Sequence, residues 1–121
     1  MRAILIDAVN RIIKEVEITS DIKDIYSNIG CDLFTVAGNF NEGEYGDSAD
    51  SLLVDDEGLF KPGLPVFQFN PPGWQMQQEF AGNGLITGVN FNNGESISCR
   101  IPLLDLAHWV EWTDKVTTGD V

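Results

Sequence analysis

This sequence has one histidine, His108, and only two cysteines, Cys31 and Cys99. That poverty argues against the common zinc arrangements, which draw most of their ligands from Cys and His at close spacing. It also leaves no Cys-x-x-Cys pair and no disulfide framework of the kind that staples small secreted domains. Both cysteines are expected as reduced core residues. Basic residues are scarce as well: seven Lys and Arg stand against nineteen Asp and Glu, a formal charge of -12. Nucleic acid and anionic membranes both require basic surface. Direct binding to either is therefore not expected, and a protein with a basic surface is the natural complement.

Long apolar runs are missing too. Stretches such as AILI and LFTVA fall far short of the roughly 20 residues of a membrane span, and the start MRAILIDAVNR meets acid and base too soon for a secretory leader. A soluble, cytoplasmic protein without membrane contact is expected. The 121 residues suit one acidic domain, able to bury about two-thirds of the surface its unfolded chain exposes.

What is present reads as alternating strands and helices. RAILID and RIIKEVEI are two β-rich runs separated by AVN, an N-terminal hairpin with Ile12, Val16 and Ile18 on one face. TSDIKDIYSNIG has Ser20 as its N-cap, Ile22, Ile25 and Ile29 at helical spacing, and Gly30 as its stop. CDLFTVA and SLLV are strands flanking an acidic connection. Four of the five prolines and many of the aromatics fall in FKPGLPVFQFNPPGWQMQQEF, which is expected as an ordered loop pinned to the core. LITGVNF and ESISCRI flank NNG as a hairpin with Ile97, Cys99 and Ile101 facing inward. Pro102 opens PLLDLAHWVEWTDK, a C-terminal helix over about residues 102–115 with a tail from 116 to 121. The expected fold is α+β: a small, mainly antiparallel sheet of four or five strands with two helices packed on one face and a core spanning residues 2–101.

Between Lys23 and Lys61 there are nine acids and no base. Within that stretch Glu42, Glu44, Asp47, Asp50, Asp55, Asp56 and Glu57 lack the regular oxygen spacing of a calcium loop, so no metal site is expected. A partner-binding acidic surface and a solvated loop remain as readings. The glycines of GNGLITG lie inside a β-branched run without the Lys-Ser/Thr of a phosphate loop, so a bulge or a close backbone approach is the better explanation. His108 has no second histidine, no Gly-x-Ser-x-Gly elbow accompanies it, and Glu111 pairs more naturally with Lys115 than with the imidazole. No catalytic residue and no cofactor are expected. Trp109 and Trp112 lie beside the apolar stripe of the last helix, where they either anchor a partner or cover Phe67 and Phe69. Phe69 and Trp74 are candidates to stack a base in a pocket under the Pro-rich stretch.

With these segments placed, the order RAILIDAVNRIIKEVEI, short helix, LLVDDEGLFK, proline-containing stretch and FAGNGLITGVNFNNGESISC resembles a family of small uncharacterised domains found in bacteriophages, plasmids and bacteria. The resemblance covers about residues 2–100. It implies an α+β fold and a mobile-element setting, and carries no catalytic residues with it. The insert NFNEGEYGDSAD and the aromatic loop depart from the pattern.

Three functional classes follow. The first is a non-enzymatic binding protein, phage-encoded, that engages and inhibits or redirects a host protein, in one version as an acidic nucleic-acid mimic. The second is a module that sequesters a small molecule or nucleotide. The third, a small enzyme, has the least support because no nucleophile comes with an evident base.

Overall fold

The computed structural model describes residues 1–42, 44, 46–75 and 78–119. In chain order the elements are β1 (Arg2–Asp7), β2 (Ile12–Glu17), α1 (Ile22–Ile29), β3 (Phe34–Phe40), β4 (Ser48–Asp55), a 3-10 turn (Gly58–Phe60), β5 (Pro62–Phe69), β6 (Gln78–Ala81), β7 (Gly84–Asn90), β8 (Ser96–Ile97), α2 (Leu103–Trp109) and β9 (Val110–Thr118). All strand pairings among the described residues are antiparallel.

The larger sheet has the order β2-β1-β7-β4-β3, and β8 joins β7 where β1 leaves off, opposite Gly88 and Val89. Its hairpin β1/β2 is the one expected, in register from Arg2↔Glu17 to Asp7↔Ile12. The facing differs: Ile13 packs on one side of the sheet and Val16 on the other, while Ile12 is largely exposed. Because side chains alternate along a strand, the sheet carries two apolar faces. Ala3, Leu5, Leu53 and Leu85 meet Ile25 and Ile29 of α1 on one face. Ile4, Ile6, Leu52, Val54 and Ile86 point the other way, into the main core.

That second face is covered by the smaller sheet, β6-β5-β9, together with α2. Phe67 and Phe69 of β5 are fully buried there, beside Leu106 of α2 and Val110 of β9. Each such side chain contributes roughly 1.5–3 kcal/mol by leaving water. The molecule is thus mainly β, with two helices on opposite faces of the larger sheet. The single sheet with both helices on one side is corrected accordingly.

Two segments account for the difference. The Pro-rich stretch is a strand hairpin, not a loop. Pro62 and Pro65 are tolerated because β6 pairs only with Val66–Phe69 and the register with β9 slips at both prolines, so neither sits where a full ladder needs its missing N–H. The C-terminal helix ends at Trp109, and Val110 takes extended dihedrals. From there VEWTDKVTT, rich in β-branched residues, pairs with β5 instead.

Smaller adjustments follow the same physics. Asp21, not Ser20, caps α1, accepting from the Lys23 N–H at 3.0 Å. Asp24 reaches back to the N–H and hydroxyl of Thr19. Gly30 ends the helix in the left-handed conformation at φ 81°, as its position suggested. The turn after β7 does hold Gly94 at positive φ, but β8 spans two residues and Ile97 is only half-buried; Cys99 and Ile101 reach the core beyond the strand's end.

Candidate functional site

A cleft of about 640 Å³ opens where the end of β3, the segment after β5 and the start of α2 converge. Three rings that line it, Trp109, Phe40 and Trp74, are linked edge to face through a fourth, Phe69, buried behind them. Trp109 meets Phe40 at 5.9 Å between centroids, Phe40 meets Phe69 at 5.4 Å, and Phe69 meets Trp74 at 5.4 Å. Edge-to-face contact places the positive ring edge against the negative face of its neighbour, so the row is held in one arrangement by its own electrostatics.

Trp74 is fixed twice more. Its indole N–H donates to the Asn39 carbonyl at 3.0 Å, and its ring lies over the backbone of Gly38. β3 is an edge strand with a register shift between Val36 and Gly38. The indole therefore also shields part of an edge that would otherwise be open to another strand. On the opposite wall, Pro102 precedes α2, Asp105 stands in its first turn and Trp109 closes it. The Asn70 N–H donates to the Trp109 carbonyl at 2.9 Å, tying this wall to the end of β5.

Asp50 joins the walls from beneath. It lies on β4, 1% exposed, and accepts from the N–H groups of Arg100 at 2.9 Å and Ile101 at 3.1 Å and from the Asn41 side-chain amide at 3.1 Å. Asn41 and Ile101 both line the cleft. Asn41 has φ 57°, a left-handed conformation that asparagine accepts more readily than most side chains, and from it the chain carries Glu42 and Glu44 to the cleft's rim. One buried carboxylate thus connects the acidic rim to the segment leading into α2.

The acidic stretch is consequently not one surface. Glu42 and Glu44 are exposed at the cleft, and Asp47, outside the cleft lining, accepts from the Asn92 amide at 3.1 Å. Asp50 is internal. Asp55 has a side chain only 5% exposed, bound to Lys61 Nζ at 2.6 Å and to the Glu57 N–H. That bond holds the Lys61 ammonium above its ordinary pKa. Asp56 and Glu57 lie exposed at the far end of β4, away from the cleft lining. Asp50 and Asp55 are thus removed from any exposed partner surface.

The tryptophans are also divided. Trp109 and Trp74 share the cleft, Phe69 lies fully buried behind them, and Trp112 sits on β9 opposite Phe67 rather than on a helix. Lys115, on the same strand, pairs with Glu79 at 2.9 Å, not with Glu111. Sequence reasoning did not single out Phe40, Asn41 or Asp105 as site residues. An acid one turn after a helix-opening proline was the available signal for Asp105; nothing local marked Phe40 or Asn41.

Among the described residues no group of three or more His, Cys, Asp or Glu could hold a metal, and no helix is long and apolar enough to cross a membrane. Burial pushes the Cys99 thiol up to about 11 and raises that of Cys31. Neither sulfur lines the cleft.

A model of the DUF3846 family, a domain of unknown function, matches residues 1–101, and the chain belongs to that family. The membership agrees with the resemblance to an uncharacterised domain family. One wall of the cleft, with Phe40, Glu42, Glu44 and Trp74, lies in the matched region, whereas Asp105 and Trp109 lie beyond it. No curated protein and no solved structure matches the chain.

Proposed function

We propose that this member of an uncharacterised family is a non-enzymatic binding protein whose cleft engages a basic surface on another protein. The observation that carries the reading is the convergence of Trp74 and Trp109 with Glu42, Glu44 and Asp105 in one cleft whose described lining includes no Lys or Arg. Aromatic anchors in a pocket are what hot spots are made of, and unopposed carboxylates at the rim attract and orient a basic partner. In the mobile-element setting that the resemblance implies, the partner would be a host factor whose activity is blocked or redirected.

A second reading, sequestration of a small molecule, is favoured by the size of the cleft, which falls within the range of about 300–1,000 Å³ for ligand pockets. Its acidic rim selects against phosphate-bearing ligands.

The test is capture from bacterial lysate with the tagged chain and two variants, Trp109→Ala and the triple Glu42→Gln, Glu44→Gln, Asp105→Asn. A protein retained in stoichiometric amount by the parent and lost from both folded variants is the expected result. Equal retention by all three excludes the cleft, and native mass spectrometry showing a co-purifying small molecule moves the assignment to the second reading.

A further inference from the structure

Some carboxylates of this protein are ion-paired and others, at the cleft and also at Asp56, Glu57 and Glu111 away from it, have no cationic partner among the described residues. Glu15, Asp55, Glu79 and Asp114 have cationic partners in Arg2, Lys61, Lys115 and Arg11. The side chains of Glu42, Glu44 and Asp105, all at the cleft, have no ion pair or hydrogen bond among the described residues. Trp74 has already committed its N–H to Asn39, so what it offers a ligand is ring surface. Unpaired carboxylates beside ring surface call for a group that is cationic, flat and rich in N–H donors.

We infer that the cleft receives an arginine side chain of the partner, its guanidinium laid against an indole and its N–H groups shared with Glu42, Glu44 and Asp105. The inference rests on the partner-binding reading above and narrows it to one residue type. Guanidinium is planar, weakly hydrated and permanently charged, and it presents a fork of donors matched to carboxylates while stacking on aromatic rings. An ammonium has the charge but neither the plane nor the fork. A phosphate or carboxylate ligand would meet three like charges.

Nitrogen-15 NMR of the full chain tests this, using the indole N–H signals of Trp74, Trp109 and Trp112. Trp112 is outside the cleft lining and serves as an internal reference. Three blocked tripeptides are titrated, with Arg, Lys or citrulline between two glycines; citrulline keeps the shape of arginine and lacks its charge. A single side chain should bind in the millimolar range. The expected result is saturable movement of the Trp74 and Trp109 signals with the arginine peptide and a dissociation constant about tenfold weaker for citrulline. Lysine should fall between, and Trp112 should stay still.

Equal response to arginine and citrulline, a lysine peptide binding as tightly as arginine, or cleft signals unmoved by arginine each overturn the inference. None of these comparisons needs a variant that has to fold. The two readings separate cleanly: a captured protein that depends on Trp109 together with indoles indifferent to arginine removes the arginine and leaves the partner. Capture indifferent to the cleft variants removes both.

Discussion

The indole of Trp74 rests on Gly38 so closely that a Cβ at position 38 would stand 2.5 Å from its Cζ2. The indole has little freedom to withdraw, because it is held by the Asn39 carbonyl and by the edge of Phe69. Gly38→Ala should therefore displace the ring and destabilise the fold by roughly 1–3 kcal/mol, as overpacking does. Urea unfolding gives the energy, and a changed tryptophan emission in the folded state reports the displacement. A variant as stable as the parent with unchanged emission would mean the contact is looser than drawn.

Asp50 is expected to be the most sensitive polar position. Asp50→Ala leaves the N–H groups of Arg100 and Ile101 and the Asn41 amide without their acceptor, and each orphaned buried donor costs about 1–3 kcal/mol. A combined loss of about 3 kcal/mol or more is expected by chemical denaturation. Asp50→Asn, which keeps one carbonyl oxygen, should recover part of it. A cost under about 0.5 kcal/mol, the level of a surface change, would show that the three bonds are readily replaced by water.

Native Cys31 and Cys99 should resist alkylation at mildly alkaline pH. Thiolate is the reactive form, both side chains are buried, and burial pushes Cys99 up to about 11 and raises Cys31. Mass spectrometry after iodoacetamide should find neither modified in the folded chain and both modified in urea. Rapid labelling of Cys99 without denaturant would contradict its placement in the core.

Asp7 should contribute to acid sensitivity. Burial opposes its charged form, but hydrogen bonds from the side chain and backbone of Asn10 and from the Val9 N–H outweigh burial and hold it below the ordinary value of 3.8. A carboxyl depressed on folding adds stability above its unfolded value, and that stability disappears as pH falls through the folded one. The gap in stability between the parent and Asp7→Asn should thus be widest well above pH 3.8 and close below it. A gap that is constant across this range would assign the loss to packing alone.

How much of this was legible in the sequence depends on how far each signal reaches along the chain. The β1/β2 hairpin, Gly30 at the end of α1 and Gly94 in the β7/β8 turn rest on neighbours within a few residues, and local pattern placed them. β9 was concealed because Leu103, Leu106, Ala107 and Val110 share helical spacing across the true junction at Trp109. β5 was concealed by Pro62 and Pro65, whose tolerance comes from the slipped register with β9. Both strands exist because they have each other, and pairing partners more than 40 residues apart leave no local trace. The site followed the same rule. Glu42, Glu44, Trp74 and Trp109 were all flagged, but in three separate places, an acidic segment, a helix face and a pocket under the Pro-rich stretch; the meeting of β3, the segment after β5 and α2 makes them one.

The division of the acidic stretch gives the last prediction. If the cleft recruits a basic partner, neutralising Glu42, Glu44 and Asp105 should slow association at low ionic strength. The difference should shrink as salt is added, because the Debye length is about 8 Å at physiological strength. Asp56 and Glu57 supply the control, being exposed acids at the other end of β4 and absent from the cleft lining. Their neutralisation should leave stability within about 0.5 kcal/mol of the parent and alter association less. Removing the Trp109 side chain should act differently, speeding dissociation with little dependence on salt, since an anchor contributes after the partners have met. Surface-based kinetics with the captured partner at two ionic strengths separates the three. If Asp56 and Glu57 slow association as much as the cleft acids do, attraction belongs to the net charge of the whole protein and the cleft retains only its aromatic contribution.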